Sequence, residues 1–168
     1  MSPFTPLDFE TLLRWALAGL ERERQVFGLP LRSIWRGRDG FDLSVPVPGG
    51  RADTPLGPAA GPHTQLAQNI VTSWLAGARV IELKTVQVLD RLDIARPCID
   101  APAEAYNVEW SQELRLAESL EQYLAAWHLV HVLAARGLAG EAVARAAREG
   151  AGLAGTHFDA SVGYDLAG

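Results

Sequence analysis

Residues 78–87 read ARVIELKTVQ, and Lys84 is the only lysine in 168 residues. An ammonium group set in an apolar run has few uses. It pairs with an internal carboxylate, it stabilises negative charge on a ligand, or its neutral form attacks a carbonyl to give a Schiff base. Glu82 is the obvious internal partner. A second run, GPAAG at 57–61, carries no reactive group but little bulk. Ala59, Ala60 and Gly61 would let backbone lie close to a flat ligand, although tight packing against a helix asks for the same residues. His128 and His131 stand three apart and could share a metal, but no third ligand accompanies them and an amphipathic helix face accounts for both. His63 either touches a ligand or helps Thr64 cap the next helix. Cys98, the one cysteine, reads as a packed thiol.

These residues need elements to position them. TPLDFETLLRWALAGLERERQVFG reads as a helix with Thr5 as cap, Pro6 in the first turn, Asp8 completing a capping box and Gly28 as the stop. Residues 29–53 read as a loop with an edge hairpin at FDLSVPV. From Thr54 the pattern changes to a short extended run (TPLGPAAG), a helix (QLAQNIVTSWLAGA), a strand (RVIELKT), a long helix (113–137), a further helical stretch (EAVARAARE) and a last strand (HFDASVGY). The helical stripe of the second element is Leu66, Ile70, Trp74 and Leu75. Trp15, Trp74 and Trp127 all fall on such stripes and read as core. Strand–helix–strand order predicts parallel βαβ units, with an extension over 1–53 and the βα units over 54–168.

In parallel α/β sheets ligands bind at the carboxyl ends of the strands. PAAGPHT, the long segment after RVIELKT, and YDLAG occupy that edge. Alternation sends Ile81, Leu83 and Thr85 one way and Val80, Glu82 and Lys84 the other. The first set suits covering helices, so Glu82 and Lys84 point inward. Burying an ammonium costs several kcal/mol, roughly, unless an anion or strong acceptors meet it. An internal Glu82–Lys84 pair satisfies that need, and so does an electron-rich planar ligand.

The net charge of −5 and the absence of a basic stripe argue against a nucleic-acid surface. One cysteine excludes a disulfide framework or an iron–sulfur cluster held by these residues alone. The N-terminus lacks a secretory pattern and the longest apolar helix is too short for a bilayer, so a cytoplasmic protein without membrane contact is expected.

GPAAGPHTQLAQNIVTSWLAGARVIELKTVQVLDRLDIARPCID, followed by YNVEWSQEL, closely resembles the start of a flavoprotein subunit family called "putative selenate reductase". That family is related to the FMN barrels of dihydropyrimidine dehydrogenase and dihydroorotate dehydrogenase. The resemblance covers roughly residues 5–168 and is densest over 55–113. It implies the first three strands of an eight-stranded (βα)8 TIM barrel, incomplete here because closure takes about 250 residues. The implied protein is an FMN-dependent oxidoreductase acting by hydride transfer on a small flat nitrogen heterocycle. FAD, NADPH and iron–sulfur clusters belong elsewhere in the longer polypeptide, which is the expected partner of this segment. By the same resemblance Ala59, Ala60 and Gly61 lie along the flavin, Lys84 and Thr85 contact it with Lys84 serving catalysis, and Asn107 and Glu109 hold the substrate. The family's Asn-x-Ser-Cys-Pro segment with its proton-donating cysteine is missing, Cys98 is not in its position, and Trp110 replaces an aliphatic residue. The 168 residues alone are expected to be inactive and sticky, with an unpaired last strand. Two other classes fit the residues: a Schiff-base lysine barrel and a non-catalytic docking module on a degenerate barrel.

Overall fold

The computed structural model describes residues 4–37, 40–87, 111, 113–149, 153, 155–160 and 162–163. Helix α1 spans Phe9–Ala18 and continues through a π-helical turn at Gly19–Glu23. Its cap is Asp8, not Thr5: one carboxylate oxygen accepts from Thr11 N at 2.7 Å and the other from Thr11 Oγ1 at 3.1 Å. Gly28 does not stop this helix either. Arg24 turns left-handed (φ +54°) and ends it, and a hairpin of β1 (Gln25–Val26) and β2 (Leu29–Pro30) follows. Phe27 and Gly28, at φ +49° and +84°, form its two-residue turn. That pairing of positive φ values matches the twist of tight hairpins. Phe27 is held in its disfavoured conformation by an edge contact to Trp15, 4.9 Å between ring centroids.

The Thr11 bonds depress the Asp8 pKa. A carboxylate whose folded pKa is lowered stabilises the fold above its unfolded pKa, near 3.8, and loses that contribution as pH falls through the folded value. Asp8→Ala should therefore lower the melting temperature at pH 7, and the gap should close on acidification below the folded pKa. A gap that persists into strong acid would show that the cap acts without its charge.

The expected hairpin is present: β3 (Val45–Val47) pairs antiparallel with β4 (Gly50–Ala52), the chain reversing at Pro48–Gly49 with Gly49 at φ +80°. Beyond it the fold becomes parallel. Leu56 O accepts from Arg79 N and Val80 N, and Pro58 O from Glu82 N, so residues 56–58 run beside β5 (Val80–Glu82). Strand β7 (His157–Asp159) lies on the other side of β5, paired Val80↔His157, Ile81↔Phe158 and Glu82↔Asp159. Past it, β6 (Val86–Gln87) pairs parallel with β8 (Val162–Gly163). The stretch expected as one strand over 79–85 is thus interrupted at 83–85, and its neighbour breaks just after 159. Lys84 and Thr85 sit in the interruption. Their carbonyls bond to groups outside the sheet, which is why the ladder lapses there.

Helix α2 (Ala67–Leu75) makes the first crossover; α3 (Leu116–Ala135) and α4 (Glu141–Arg148) make the second. Ile70, Val71, Trp74 and Leu75 of α2 pack with Ala126, Leu129, Val130 and Leu133 of α3, over Ile81 and Leu83. Leu66 precedes α2 and is half-buried. Leu12 and Ala16 bring α1 into the same core. The result is a mixed α/β unit in which a short parallel sheet carries helices on the Ile81 face. Among the described residues no helix is long and apolar enough to cross a membrane.

Of the three tryptophans expected in the core, only Trp74 is there. Trp15 and Trp127 are 45 % and 42 % exposed. Periodicity placed them correctly on stripes, but α3 is apolar around more of its circumference than its neighbours cover. Leu116, Leu120 and Leu124 extend the Trp127 stripe, and Trp127 itself leans on Phe158 of β7, 5.4 Å between centroids. Leu120→Lys with Leu124→Lys should reduce dye binding and self-association of the 168-residue chain, with a stability change within about 0.5 kcal/mol. A large loss of stability would mean those leucines are covered in solution.

Candidate functional site

The strand tips of 56–61 and β5 form one edge. Ala59 is exposed, Ala60 half-buried and Gly61 buried. Ala60 N donates to Glu82 Oε2 at 2.9 Å, so the Glu82 carboxylate bridges the two strands on the face opposite Ile81. The Thr64 hydroxyl binds both polar backbone atoms of Gly61, which starts the 3-10 turn Pro62–Gln65. His63 is exposed and its carbonyl accepts from Asn69 Nδ2. Gly57 is dictated by space, whereas Gly61 meets only a side chain that can turn away. A Cβ on Gly57 would lie 1.3 Å from Val80 O, and one on Gly61 would reach the His63 ring at 2.8 Å.

Lys84 is 2 % exposed, and Thr85 beside it is half-buried. Tyr123 Oη, from α3, donates to Lys84 O at 2.7 Å, and Ser111 N donates to Thr85 O at 2.6 Å. Burial raises the Tyr123 pKa well above that of a free phenol, so the hydroxyl keeps its proton and remains a donor. Around these bonds lies a polar cluster that the sequence did not announce. Gln65 is fully buried, and Ser111 and Glu113 are each 1 % exposed. Gln65 Nε2 donates to Glu113 Oε2 at 2.6 Å, and the Ser111 hydroxyl bonds Gln65 Oε1. Gln122 completes the polar interior, accepting from Ala67 N and donating to Leu7 O. Buried amides and carboxylates are tolerated when hydrogen-bonded in this way.

The structure therefore brings Ala59, Ala60, Gly61, Lys84 and Thr85 to the tips of neighbouring parallel segments. Asn107 and Glu109 lie outside the described residues, as do Cys98 and Trp110; Glu109 is two residues before Ser111 in sequence. His128 and His131 use their Nδ1 atoms on the Leu124 and Trp127 carbonyls one turn back. Among the described residues no group of three His, Cys, Asp or Glu side chains could hold a metal. At the opposite end of β5, Arg79 is buried over Trp74, its guanidinium carbon 4.7 Å from the ring centroid. It donates to Trp74 O and Ala78 O, which anchors the start of the strand.

Comparison with known proteins agrees with this layout. The family described as "Oxidoreductase YgfK, N-terminal TIM-barrel domain" matches residues 27–168. Two proteins named "Putative oxidoreductase YgfK", from Escherichia coli strain K12 and from Escherichia coli O157:H7, are each 46 % identical over 163 residues. That match covers 97 % of this chain and 15 % of each relative. No solved structure matches. With parallel strands, crossover helices and a family match over most of its length, the chain belongs to the family of the N-terminal TIM-barrel domain of the YgfK oxidoreductases.

Proposed function

We propose that these residues form the first three strands of an FMN-binding (βα)8 barrel within a longer FMN-dependent oxidoreductase. The observation that carries the reading is Lys84, buried at a strand tip with both its own carbonyl and that of Thr85 fixed by hydrogen bonds. Ligands of parallel α/β sheets bind at this edge, and a buried ammonium there stands where a fixed charge can act on them.

The residues fit FMN. Ala59 and Ala60 present backbone and methyl groups at the edge, where a planar ring can approach, and the buried ammonium suits a ring that accumulates negative charge. FMN, when bound, supplies hydride transfer to or from a flat nitrogen heterocycle. The chain's own residues would then have separate duties. Ala59, Ala60 and Gly61 line the ring, Lys84 stabilises negative charge at its pyrimidine end, and the Thr85 hydroxyl offers a further hydrogen bond. A fixed charge in a water-poor site acts strongly because nothing reorganises around it. Asn107 and Glu109 would hold the substrate; an asparagine amide offers the donor and acceptor that a cyclic amide requires. FAD, NADPH, iron–sulfur clusters and the proton donor would belong to the remainder of the longer polypeptide, so residues 1–168 alone would be inactive. The experiment that tests the reading is replacement of Lys84 in the flavin-loaded polypeptide.

A further inference from the structure

We propose that Tyr123 and Ser111, the latter braced by Gln65 and Glu113, are positioning residues that clamp the Lys84–Thr85 dipeptide and so fix where the ammonium stands. The inference rests on the flavin reading only for its purpose; the clamp itself is a matter of hydrogen bonds.

Sheet pairing lapses at these two residues, between Glu82↔Asp159 and Val86↔Val162. The last bond from β5 toward β7 is Leu83 N to Asp159 O at 2.8 Å. A charge that acts through a ligand needs its backbone fixed, and across this gap the fixing falls to other groups. The structure supplies substitutes for the missing ladder. Tyr123 Oη holds Lys84 O, and Ser111 N holds Thr85 O. Tyr123 is a rigid donor from a helix that packs on the core. Ser111 is different: it lies outside any helix or strand and needs support of its own. Its hydroxyl bonds Gln65 Oε1 and also reaches Leu114 O at 3.1 Å, while Gln65 Nε2 is tied to Glu113 Oε2. Gln65 follows the first extended segment and Glu113 leads into α3, so the brace joins two βα units across 48 residues of sequence. Apolar side chains could fill the same space, but they would not fix a direction. A fully bonded buried network does.

The test uses Lys84's singularity. In the full chain, amine acylation resolved peptide by peptide reports on Lys84 without ambiguity, because residues 1–168 contain no other lysine. The clamp predicts that Tyr123→Phe, which removes one hydroxyl, raises the acylation rate of Lys84 at least tenfold while the melting temperature stays near that of the unaltered chain. Ser111→Ala, which keeps the backbone donor and removes the brace, should raise it less. In the unaltered chain the Ser111 amide should be among the slowest to exchange with deuterium. Unchanged Lys84 reactivity in folded Tyr123→Phe, or rapid exchange at Ser111, overturns the clamp. A variant that unfolds leaves the exchange measurement to decide. None of these readouts needs flavin, so a colourless protein would defeat the functional reading and leave the clamp standing. Conversely, a failed clamp would leave any effect of Lys84 on bound flavin intact.

Discussion

Lys84→Met in the flavin-loaded polypeptide should slow flavin reduction by about 100-fold and lower the melting temperature without unfolding the chain. The size follows from the loss of one preorganised electrostatic contact, typically 10²–10³ in rate, or about 2.7–4 kcal/mol. The direction of the stability change follows from desolvation. Lys84 is 2 % exposed and engaged, and removing its ammonium alone leaves the group it meets without a counterpart. Methionine is an unbranched chain of similar length without the charge. Lys84→Arg keeps the charge but changes its shape, and should recover only part of the rate. Stopped-flow reduction and thermal melts on the same preparations check both halves. Equal reduction rates in Lys84→Met and the unaltered protein would remove Lys84 from the chemistry.

The second large effect is structural. Gly57→Ala should abolish the pairing of residues 56–58 with β5, because the new Cβ would stand 1.3 Å from Val80 O. That atom is backbone within the parallel sheet and cannot swing aside as a side-chain tip can. Overpacking usually costs about 1–3 kcal/mol, and a clash with strand backbone belongs at or above the top of that range. The damage would spread to the functional edge, since Ala59, Ala60 and Gly61 follow directly. Denaturant melts should show a loss of about 3 kcal/mol, with flavin loading reduced in parallel. Gly57→Ala folding as stably as the unaltered chain would mean that 56–58 does not lie against β5.

Much of this was legible in the sequence, for identifiable reasons. The period-two pattern of RVIELKT placed Ile81 and Leu83 against the helices, where both are buried in the core, and Glu82 on the other face, where it meets Ala60 N. The alternation of FDLSVPV announced an edge hairpin, and its last three residues, Val45–Val47, form one strand of it. The helices were found because their apolar stripes are long. What failed was local detail and long-range partnership. Thr5 and Asp8 both satisfy the rules for a cap, and only the observed entry of the chain shows that Asp8 reaches Thr11. Gly28 carries the same signal in a helix stop and in a hairpin turn. Gln65, Ser111 and Glu113 are polar residues in a polar-looking stretch, and their burial depends on contacts 46 and 48 residues away, which no local periodicity encodes. Trp127 shows the complementary limit: a stripe reveals which residues share a face but not what covers it.

The break at Lys84–Thr85 joins these observations to function. A continuous strand would have carried Lys84 as one more alternating side chain, set by its ladder. Instead the ladder lapses after Leu83 and resumes at Val86, and between them a phenol from α3 and an amide beside the polar cluster hold the two carbonyls. Position at Lys84 and Thr85 is thereby controlled in part by α3 and the polar cluster beside it.

The most direct measurement is the two-electron reduction potential of the bound flavin in the unaltered polypeptide and in Lys84→Met. Loss of about 2.7 kcal/mol of stabilisation from the reduced form corresponds to a potential lower by roughly 60 mV. A downward shift of that order is the predicted result; a polypeptide that purifies without flavin, or potentials that coincide, would contradict the account.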